Sequence, residues 1–125
     1  MSSRETQIGF RIETRQAGWC EFVVALLGEV DLYTAPELKA ELGRLADDGA
    51  KRIVIDLTST TFIDSTTLGV LLGTVKRLRV TRGEVAVVCS DPNIRRIFEI
   101  TLLDRVFPIF DSVDEALEEP AASRG

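Results

Sequence analysis

The chain has 125 residues, of which 45% are hydrophobic and 28% charged, and its net charge at pH 7 is −5. This length fits a single domain over residues 1–125, for which we expect a core over about residues 8–118 and frayed ends at 1–7 and 120–125. Because the chain is acidic overall, it offers no electrostatic attraction to a nucleic-acid partner.

The first residues predict an antiparallel β-hairpin. Residues 8–16 alternate apolar and polar side chains, and residues 19–28 form a stronger apolar strand. Between them, Gln16-Ala17-Gly18 has the composition of a turn. Residues 28–33 are expected to lead out of the sheet.

A first helix is predicted to begin at Thr34 and to stop at Gly49, a common C-terminal cap. Thr34 and Glu37 have the spacing of a capping box, in which the threonine hydroxyl accepts the N–H of Glu37 and the glutamate reaches back. The buried stripe of this helix consists of leucines three and four residues apart: Leu38, Leu42 and Leu45.

The centre of the chain predicts a buried strand, a short polar turn and a second helix. Residues 53–57 are nearly all apolar, as expected of a strand covered on both faces. The first turn of the helix carries Asp64, and Gly69 and Gly73 are expected to let the helix approach a neighbour closely. Its apolar stripe comprises Leu68, Leu71, Leu72, Val75 and Leu78.

The last third adds two strands and two helices. We expect a strand over residues 84–89, a helix opening at Asp91, a short strand over 106–109 in which Pro108 marks a sheet edge, and a helix opening at Ser112. The order β-β-α-β-α-β-α-β-α predicts an α/β fold. Its mixed β-sheet has an N-terminal antiparallel hairpin and parallel later strands, packed with about four helices.

Several kinds of site are excluded by residues that the sequence lacks. Without histidine, a Ser-His-Asp or Cys-His arrangement is impossible, and there is no phosphate-binding glycine loop. We therefore expect an interaction module that is not an enzyme and holds no metal or cofactor. Cys20 and Cys89 are expected to be buried reduced thiols in strands, with a redox disulfide left open.

Membrane and export signals are lacking too. The longest apolar run, residues 22–27, is far shorter than the ~20 residues of a spanning helix. The N-terminal residues MSSRETQIGF have no apolar core of a signal peptide. We expect a cytoplasmic protein without a membrane partner.

Asp64, Ser65 and Thr66 admit two interpretations. The simpler is a helix cap, for which Asp, Ser and Thr are preferred. The other is a phosphorylation switch, because a phosphate on Ser65 would add a charge of about −1.5 to −2 beside helix N–H groups and Asp64. The fold would change little, while a partner docked on that surface would be expelled.

Four segments together resemble one family. Residues 62–73, FIDSTTLGVLLG, resemble the phosphorylation segment of bacterial anti-sigma factor antagonists, the single-domain STAS proteins. Residues 28–31, GEVD, resemble their exit from the second strand, residues 34–35 the start of their first helix, and residues 96–101 their third helix. The resemblance extends from about residue 8 to residue 118, so it implies the STAS fold for nearly the whole chain.

The resemblance implies a partner-switching regulator of transcription, of the kind used in stress responses. In this family the unphosphorylated antagonist binds an anti-sigma factor that is also a serine kinase using ATP and magnesium, and this binding frees a sigma factor. The kinase phosphorylates the serine after the motif aspartate, the phosphoprotein is released, and a metal-dependent serine phosphatase resets it. By position, the phosphoacceptor is Ser65. We expect a monomer.

The same resemblance implies a partner-binding surface in which Asp64 orients the neighbouring hydroxyl and caps the helix. Asp31 has an alternative interpretation as an ordinary turn residue. The full set of partner-binding residues comprises Asp31, Tyr33, Thr34, Asp64, Ser65, Thr66 and Thr67.

Two positions depart from the family, which usually has glycine where this chain has Thr67 and Leu102. A β-branched side chain at residue 67 would hinder the kinase, select a different kinase, or offer a competing hydroxyl. Leu102 and Leu103 are interpreted as core residues, with an exposed partner contact left open.

Two other functions stay open. One is a receiver-like phosphoacceptor that uses Asp56 at a strand end, although the acidic pair and the lysine that a receiver needs are not visible in the sequence. The other is a STAS module of a lipid transporter or a stress-sensing complex, or one that binds nucleotides.

Overall fold

Six strands and four α-helices build the structure, a computed structural model that describes residues 9–118. The strands are β1 (Phe10–Gly18), β2 (Glu21–Val30), β3 (Arg52–Asp56), β4 (Thr60–Ile63), β5 (Glu84–Val88) and β6 (Ile109–Phe110). The helices are α1 (Ala35–Asp47), α2 (Ser65–Arg79), α3 (Pro92–Ile100) and α4 (Val113–Glu118). The ends at 1–7 and 120–125, predicted to fray, fall outside the described residues.

The strands form one sheet in the order β1-β2-β3-β5-β6, and β4 pairs with β2. β1 and β2 are antiparallel, whereas the other pairs are parallel. The predicted mixed sheet is thus confirmed, and β6 lies at an edge, as Pro108 predicted. Since α1, α2 and α3 each follow a parallel strand, their N-termini share the edge where the strands end.

Alternate residues of the central strands point to opposite faces, so helices cover both sides of the sheet. Ile53 and Ile55 of β3 belong to the larger core cluster, together with the buried stripes of α1, α2 and α3. Val54 lies in a smaller cluster on the other face with Ala116 of α4. The first three helices therefore share one face, and α4 packs on the opposite one.

Strand β4 corrects the sequence prediction, which placed a polar turn there. β2 has ten residues and β3 has five, so the last part of β2 extends beyond β3. β4 occupies this free edge, where Val30 pairs with Ile63. Thr60 anchors the strand because its buried hydroxyl donates to the carbonyl of Leu26 at 2.6 Å.

Gly28 allows β2 to pair with β1 on one side and with β4 on the other. Its φ is +96°, which a residue with a Cβ rarely adopts, and the register with β4 shifts just after it. The Gly28 N–H donates to the carbonyl of Ser59 at 3.0 Å, while the Glu29 N–H donates to that of Gly9 at 2.8 Å. The expectation that the chain leaves the sheet at residue 28 is wrong, because β2 continues to Val30.

The hairpin turn also lies later than predicted. β1 runs to Gly18, and the turn consists of Trp19 and Cys20, of which Cys20 has a φ of +57°. The predicted turn at residues 16–18 is wrong, since these residues form the irregular end of β1.

Helix α1 begins beside Thr34, but the predicted capping box is wrong. The Thr34 hydroxyl makes no cap bond to the helix and instead accepts the N–H of Asp31 at 2.8 Å. The N–H of Glu37 donates to the Thr34 carbonyl. The helix ends before Gly49, whose φ of +91° fits the predicted C-terminal cap.

The segment between α3 and β6 also differs from the prediction. Asp91 caps α3 as expected, accepting the N–H of Asn93 at 2.8 Å. A 3-10 turn then forms at Leu103–Arg105, and the strand predicted over 106–109 lies later, at Ile109–Phe110. Leu102 is 55% exposed with a φ of +62°, so its interpretation as a core residue is wrong, whereas half-buried Leu103 does pack against the core.

Gly69 and Gly73 do not mark a close helix contact. A Cβ atom at either position would meet no heavy atom within 4 Å apart from its chain neighbours and the backbone of its own helix. Both residues instead line an open groove of about 410 Å³ between α1 and α2.

Both cysteines are free thiols, but they lie just outside the strands that were predicted to contain them. Cys20 is half-buried in the hairpin turn, and Cys89 is fully buried after β5. Burial raises the pKa of the Cys89 thiol, which keeps the group protonated and weakly nucleophilic.

Glu41 joins α1 to β1 and gives the fold a pH dependence in acid. Arg44 donates to its carboxylate at 2.7 Å and lowers the pKa of Glu41, as does the Thr14 hydroxyl at 2.6 Å, against the opposing effect of burial. A lowered folded-state pKa stabilises the fold above the unfolded-state pKa, and this contribution is lost as the pH falls through the folded-state value. We expect Glu41→Gln to lower the free energy of unfolding at pH 7 by no more than about 1 kcal/mol, since the pair is partly exposed.

Urea denaturation of the wild type and Glu41→Gln between pH 7 and pH 3 checks this expectation. The difference between the two proteins should shrink as the pH falls. A difference that stays constant over this range would contradict the assigned role of the carboxylate.

Candidate functional site

The site lies where β2 and β4 end and α1 and α2 begin. Asp64 is the N-cap residue of α2, with extended backbone angles (φ −126°, ψ −177°), and its Oδ1 accepts the N–H of Thr67 at 3.1 Å. Its Oδ2 accepts the N–H of Leu32 at 3.0 Å. Asp64 therefore caps the helix, as predicted, and also ties it to the chain that follows β2.

Residues 31–34 form a turn with its own hydrogen bonds. The Asp31 carboxylate accepts the N–H of Tyr33 at 2.9 Å and that of Thr34 at 3.2 Å. Thr34 returns a bond by accepting the Asp31 N–H. Asp31 and Thr34 are half-buried and direct their polar atoms into the turn, which favours the interpretation of Asp31 as a turn residue.

Ser65 is the first residue of the 15-residue helix α2 and is exposed, as is Thr66. The Ser65 hydroxyl has no hydrogen-bond partner within residues 9–118. The free N–H groups and the positive end of the helix dipole lie beside it, an environment that favours an added anion.

Thr67 differs from what the sequence suggested. Its side chain is fully buried, so it offers neither a direct partner contact nor a competing hydroxyl on the surface. The hydroxyl donates to the Val30 carbonyl at 3.0 Å and lies 3.2 Å from Asp64 Oδ1. The prediction that Thr67 contacts the partner is therefore wrong, because its side chain is buried while Ser65 is exposed.

Three large apolar side chains are exposed in the two segments that meet at the start of α2, residues 31–34 and β4. Tyr33 is 84% exposed, Leu32 58% and Phe62 47%. We name the exposed side chains of Leu32, Tyr33, Phe62, Ser65 and Thr66 the Ser65 surface. Exposed apolar side chains grouped in this way are typical of protein interaction sites.

Leu32 and Phe62 were missed as candidate contacts. Phe62 lies two residues before the motif aspartate and Leu32 directly precedes Tyr33, so both lay within segments that the sequence had already singled out. The sequence does not show that these two side chains are exposed, because a leucine or a phenylalanine is equally compatible with a core position.

The remaining candidate chemistry is modest. Asp56 ends β3, where its carboxylate accepts the N–H and the hydroxyl of Thr58 and so closes a turn. Within residues 9–118, no group of three or more acidic, cysteine or histidine side chains is placed to hold a metal ion. None of the helices described over these residues has the length and apolar character needed to span a bilayer.

Comparison with known proteins identifies the family. The STAS domain model matches residues 11–116. The anti-sigma-B factor antagonist of Staphylococcus aureus is 38% identical over 80 residues, which are 64% of this chain and 74% of that protein.

Solved structures agree with this match. An anti-sigma factor antagonist from Mycobacterium paratuberculosis superposes with a TM-score of 0.80 and 31% identity, covering 87% of this chain and 92% of that one. Unphosphorylated SpoIIAA, an anti-sigma factor antagonist, shares the fold with a TM-score of 0.76 and 21% identity over 87% of this chain and 94% of its own. Since the family model spans most of the sequence, the chain belongs to the STAS domain family, among relatives that are anti-sigma factor antagonists.

Proposed function

We propose that this protein is an anti-sigma factor antagonist switched by phosphorylation of Ser65. In its unphosphorylated form it binds an anti-sigma factor that is also a serine kinase, and a sigma factor is thereby freed. Phosphorylation of Ser65 by the bound kinase releases the protein, and a serine phosphatase restores it. It acts in the cytoplasm as a monomer and as a binding partner rather than an enzyme.

One observation carries this proposal: an exposed serine hydroxyl lies at a helix N-terminus where two segments with exposed apolar side chains meet. Leu32, Tyr33 and Phe62 provide the apolar area that a protein partner needs. Ser65 has no hydrogen bond to the rest of residues 9–118, so a kinase can reach its Oγ.

The electrostatics of the site explain how a phosphate would act. The phosphate adds a charge of about −1.5 to −2, which the N–H groups of the first turn of α2 accommodate. Asp64, the preceding residue, supplies a further negative charge. The fold therefore tolerates the modification, while an apolar docking surface becomes strongly anionic and loses a partner complementary to the unmodified form.

The relatives support the same function. The Staphylococcus aureus relative is an anti-sigma-B factor antagonist, and the Mycobacterium paratuberculosis neighbour is also an anti-sigma factor antagonist. These two relatives match more than 30% of the aligned residues, which is why we extend their activity to this chain as a proposal. The receiver-like alternative at Asp56 receives no such support.

The first experiment identifies the partner and the modified residue. The tagged protein is isolated from its native host, the co-purifying proteins are identified, and the tryptic peptide from Ile53 to Lys76 is examined by mass spectrometry. We expect an anti-sigma kinase, and phosphate on Ser65 in part of the population.

Variants then test the switch with the purified kinase, ATP and magnesium. Ser65→Asp should weaken binding at least roughly tenfold, because it places a like charge in the interface. Ser65→Ala should bind but resist release. Ser112→Asp is the matched control: it adds the same charge at the start of α4, on the opposite face of the sheet, and keeps a residue suited to an N-cap.

Wild-type affinity in Ser65→Asp, or phosphate confined to another residue, would overturn the switch. If the protein co-purified with a transporter or a sensor complex and not with a kinase, we would conclude that it is a STAS module of that complex and not an anti-sigma factor antagonist.

A further inference from the structure

We propose that Thr67 is a positioning residue for Ser65. Its buried hydroxyl holds the first turn of α2 against the end of β2, and so fixes the Ser65 surface in one shape for the kinase. This inference rests on the proposed function of Ser65 and assigns to Thr67 the geometry on which that function depends.

The bond between Thr67 and Val30 has a defined direction. Both residues are fully buried, and the Thr67 Oγ1 lies 3.0 Å from the Val30 carbonyl oxygen. A carbonyl oxygen only accepts, so the hydroxyl donates to it. Because no water reaches these atoms, a loosened contact has no solvent substitute.

Thr67 and Asp64 are three residues apart and face the same side of α2. Asp64 Oδ1 accepts the Thr67 N–H and lies 3.2 Å from its hydroxyl. Ser65 and Thr66 lie between them in the chain and are exposed. Thr67 thus holds the end of β2 at Val30, and Asp64 holds the chain that follows it at Leu32.

The bond from Asp64 to Leu32 and the bond from Thr67 to Val30, here called the two anchors, respond differently to charge on Ser65. The Asp64 anchor at Leu32 is an ionic hydrogen bond at the exposed surface, and a phosphate on Ser65 would repel its carboxylate. The Thr67 anchor at Val30 is buried and joins two neutral groups. It therefore holds the start of α2 in place before and after phosphorylation.

Three variants separate this role from general stability. Thr67→Val keeps the shape and removes the hydroxyl, while Thr67→Ser keeps the hydroxyl. Thr74→Val is the matched control: Thr74 lies in the same helix and is also buried, but its hydroxyl donates within the helix to the Val70 carbonyl at 3.0 Å.

The first measurement is amide hydrogen exchange of the isolated protein, followed by NMR. In Thr67→Val, the backbone N–H groups of Leu32 and of residue 67 should exchange about tenfold faster, the change expected for loss of one buried hydrogen bond. Thr67→Ser and Thr74→Val should retain the wild-type exchange at both positions.

The second measurement is phosphorylation by the purified anti-sigma kinase with ATP and magnesium. For Thr67→Val we expect the KM for the antagonist to rise about tenfold with kcat nearly unchanged, since the docking shape is lost and the acceptor hydroxyl is not. Thr67→Ser should restore the wild-type KM, and Thr74→Val should not alter it.

If the N–H of Leu32 exchanged at the wild-type rate in folded Thr67→Val, the proposal that the Thr67 hydroxyl holds this part of the chain would be wrong. An unchanged KM in a variant with faster exchange would overturn the positioning role while leaving the switch intact. If the wild type is not phosphorylated on Ser65 by any co-purifying kinase, the proposed function itself fails, and the positioning role fails with it.

Discussion

Replacing Gly28 with alanine is expected to lower the free energy of unfolding by at least roughly 3 kcal/mol, a value at the severe end for single substitutions. The φ of +96° already disfavours a side chain. In addition, a Cβ atom at this position would lie 1.6 Å from the carbonyl oxygen of Gly9, so the backbone itself must move. The pairing of β2 with the start of β1 cannot survive unchanged.

Urea denaturation followed by circular dichroism measures this effect. Gly73→Ala is the matched control, because Gly73 lies in the middle of α2 with open space around its Cβ position. That variant should gain roughly 0.5–1 kcal/mol from improved helix propensity. Equal midpoints for Gly28→Ala and the wild type would show that β2 does not need the glycine conformation.

The effect of Gly28→Ala should extend to the site. Beyond Gly28, β2 pairs with β4, and β4 leads directly to Asp64 and Ser65. A variant that is folded but displaced at Gly28 should therefore present an altered Ser65 surface and bind its partner less tightly.

Replacing Arg52 with alanine is expected to cost about 3 kcal/mol, as is typical when one partner of a buried ionic cluster is removed. The Arg52 side chain is 5% exposed and pairs with Glu21 at 2.8 Å and with Glu84 at 2.9 Å. It also donates to the carbonyl of Ala116 in α4 at 2.7 Å. Truncation would remove the guanidinium that bridges Glu21, Glu84 and the carbonyl of Ala116, and would loosen α4.

Thermal and urea unfolding of Arg52→Ala test this role, with Arg44→Ala as the matched control. Arg44 also pairs with two carboxylates, those of Glu41 and Asp48, but on the exposed surface of α1, so its loss should change the midpoint little. If the two variants lost similar stability, the buried position of Arg52 would have no special importance.

Local signals in the sequence predicted the elements whose causes are local. The caps at Asp64 and Asp91 were correct because an aspartate side chain meets the N–H groups two or three residues further on. The strand at the centre of the sheet was predicted for a similar reason, since an almost continuous apolar run is buried on either face.

The errors involve long-range contacts. Strand β4 forms because β2 is longer than β3 and leaves part of its edge unpaired by β3. This difference in length involves two segments that are far apart in the chain, so a local sequence pattern cannot show it. Thr34 looked like one half of a capping box, but its hydroxyl is used by Asp31 in the turn before the helix.

Within the candidate site, the sequence predicted the motif but not which of its side chains are exposed and which are buried. Ser65 and Tyr33 are exposed as the proposed switch requires. Thr67 is buried, and its hydroxyl bonds to the carbonyl of Val30, which is 37 residues away in the chain. Burial at that position depends on the fold, which a list of motif residues does not contain.

The Ser65 surface joins two distant parts of the chain, and this has a consequence for protein synthesis. Leu32 emerges from the ribosome well before α2, but its backbone N–H gains its bond to Asp64 only when that residue has been added to the chain. A nascent chain that ends before α2 lacks Ser65 itself. Under the proposed function, we therefore expect kinase binding only after β1 to β4 and the start of α2 have been translated.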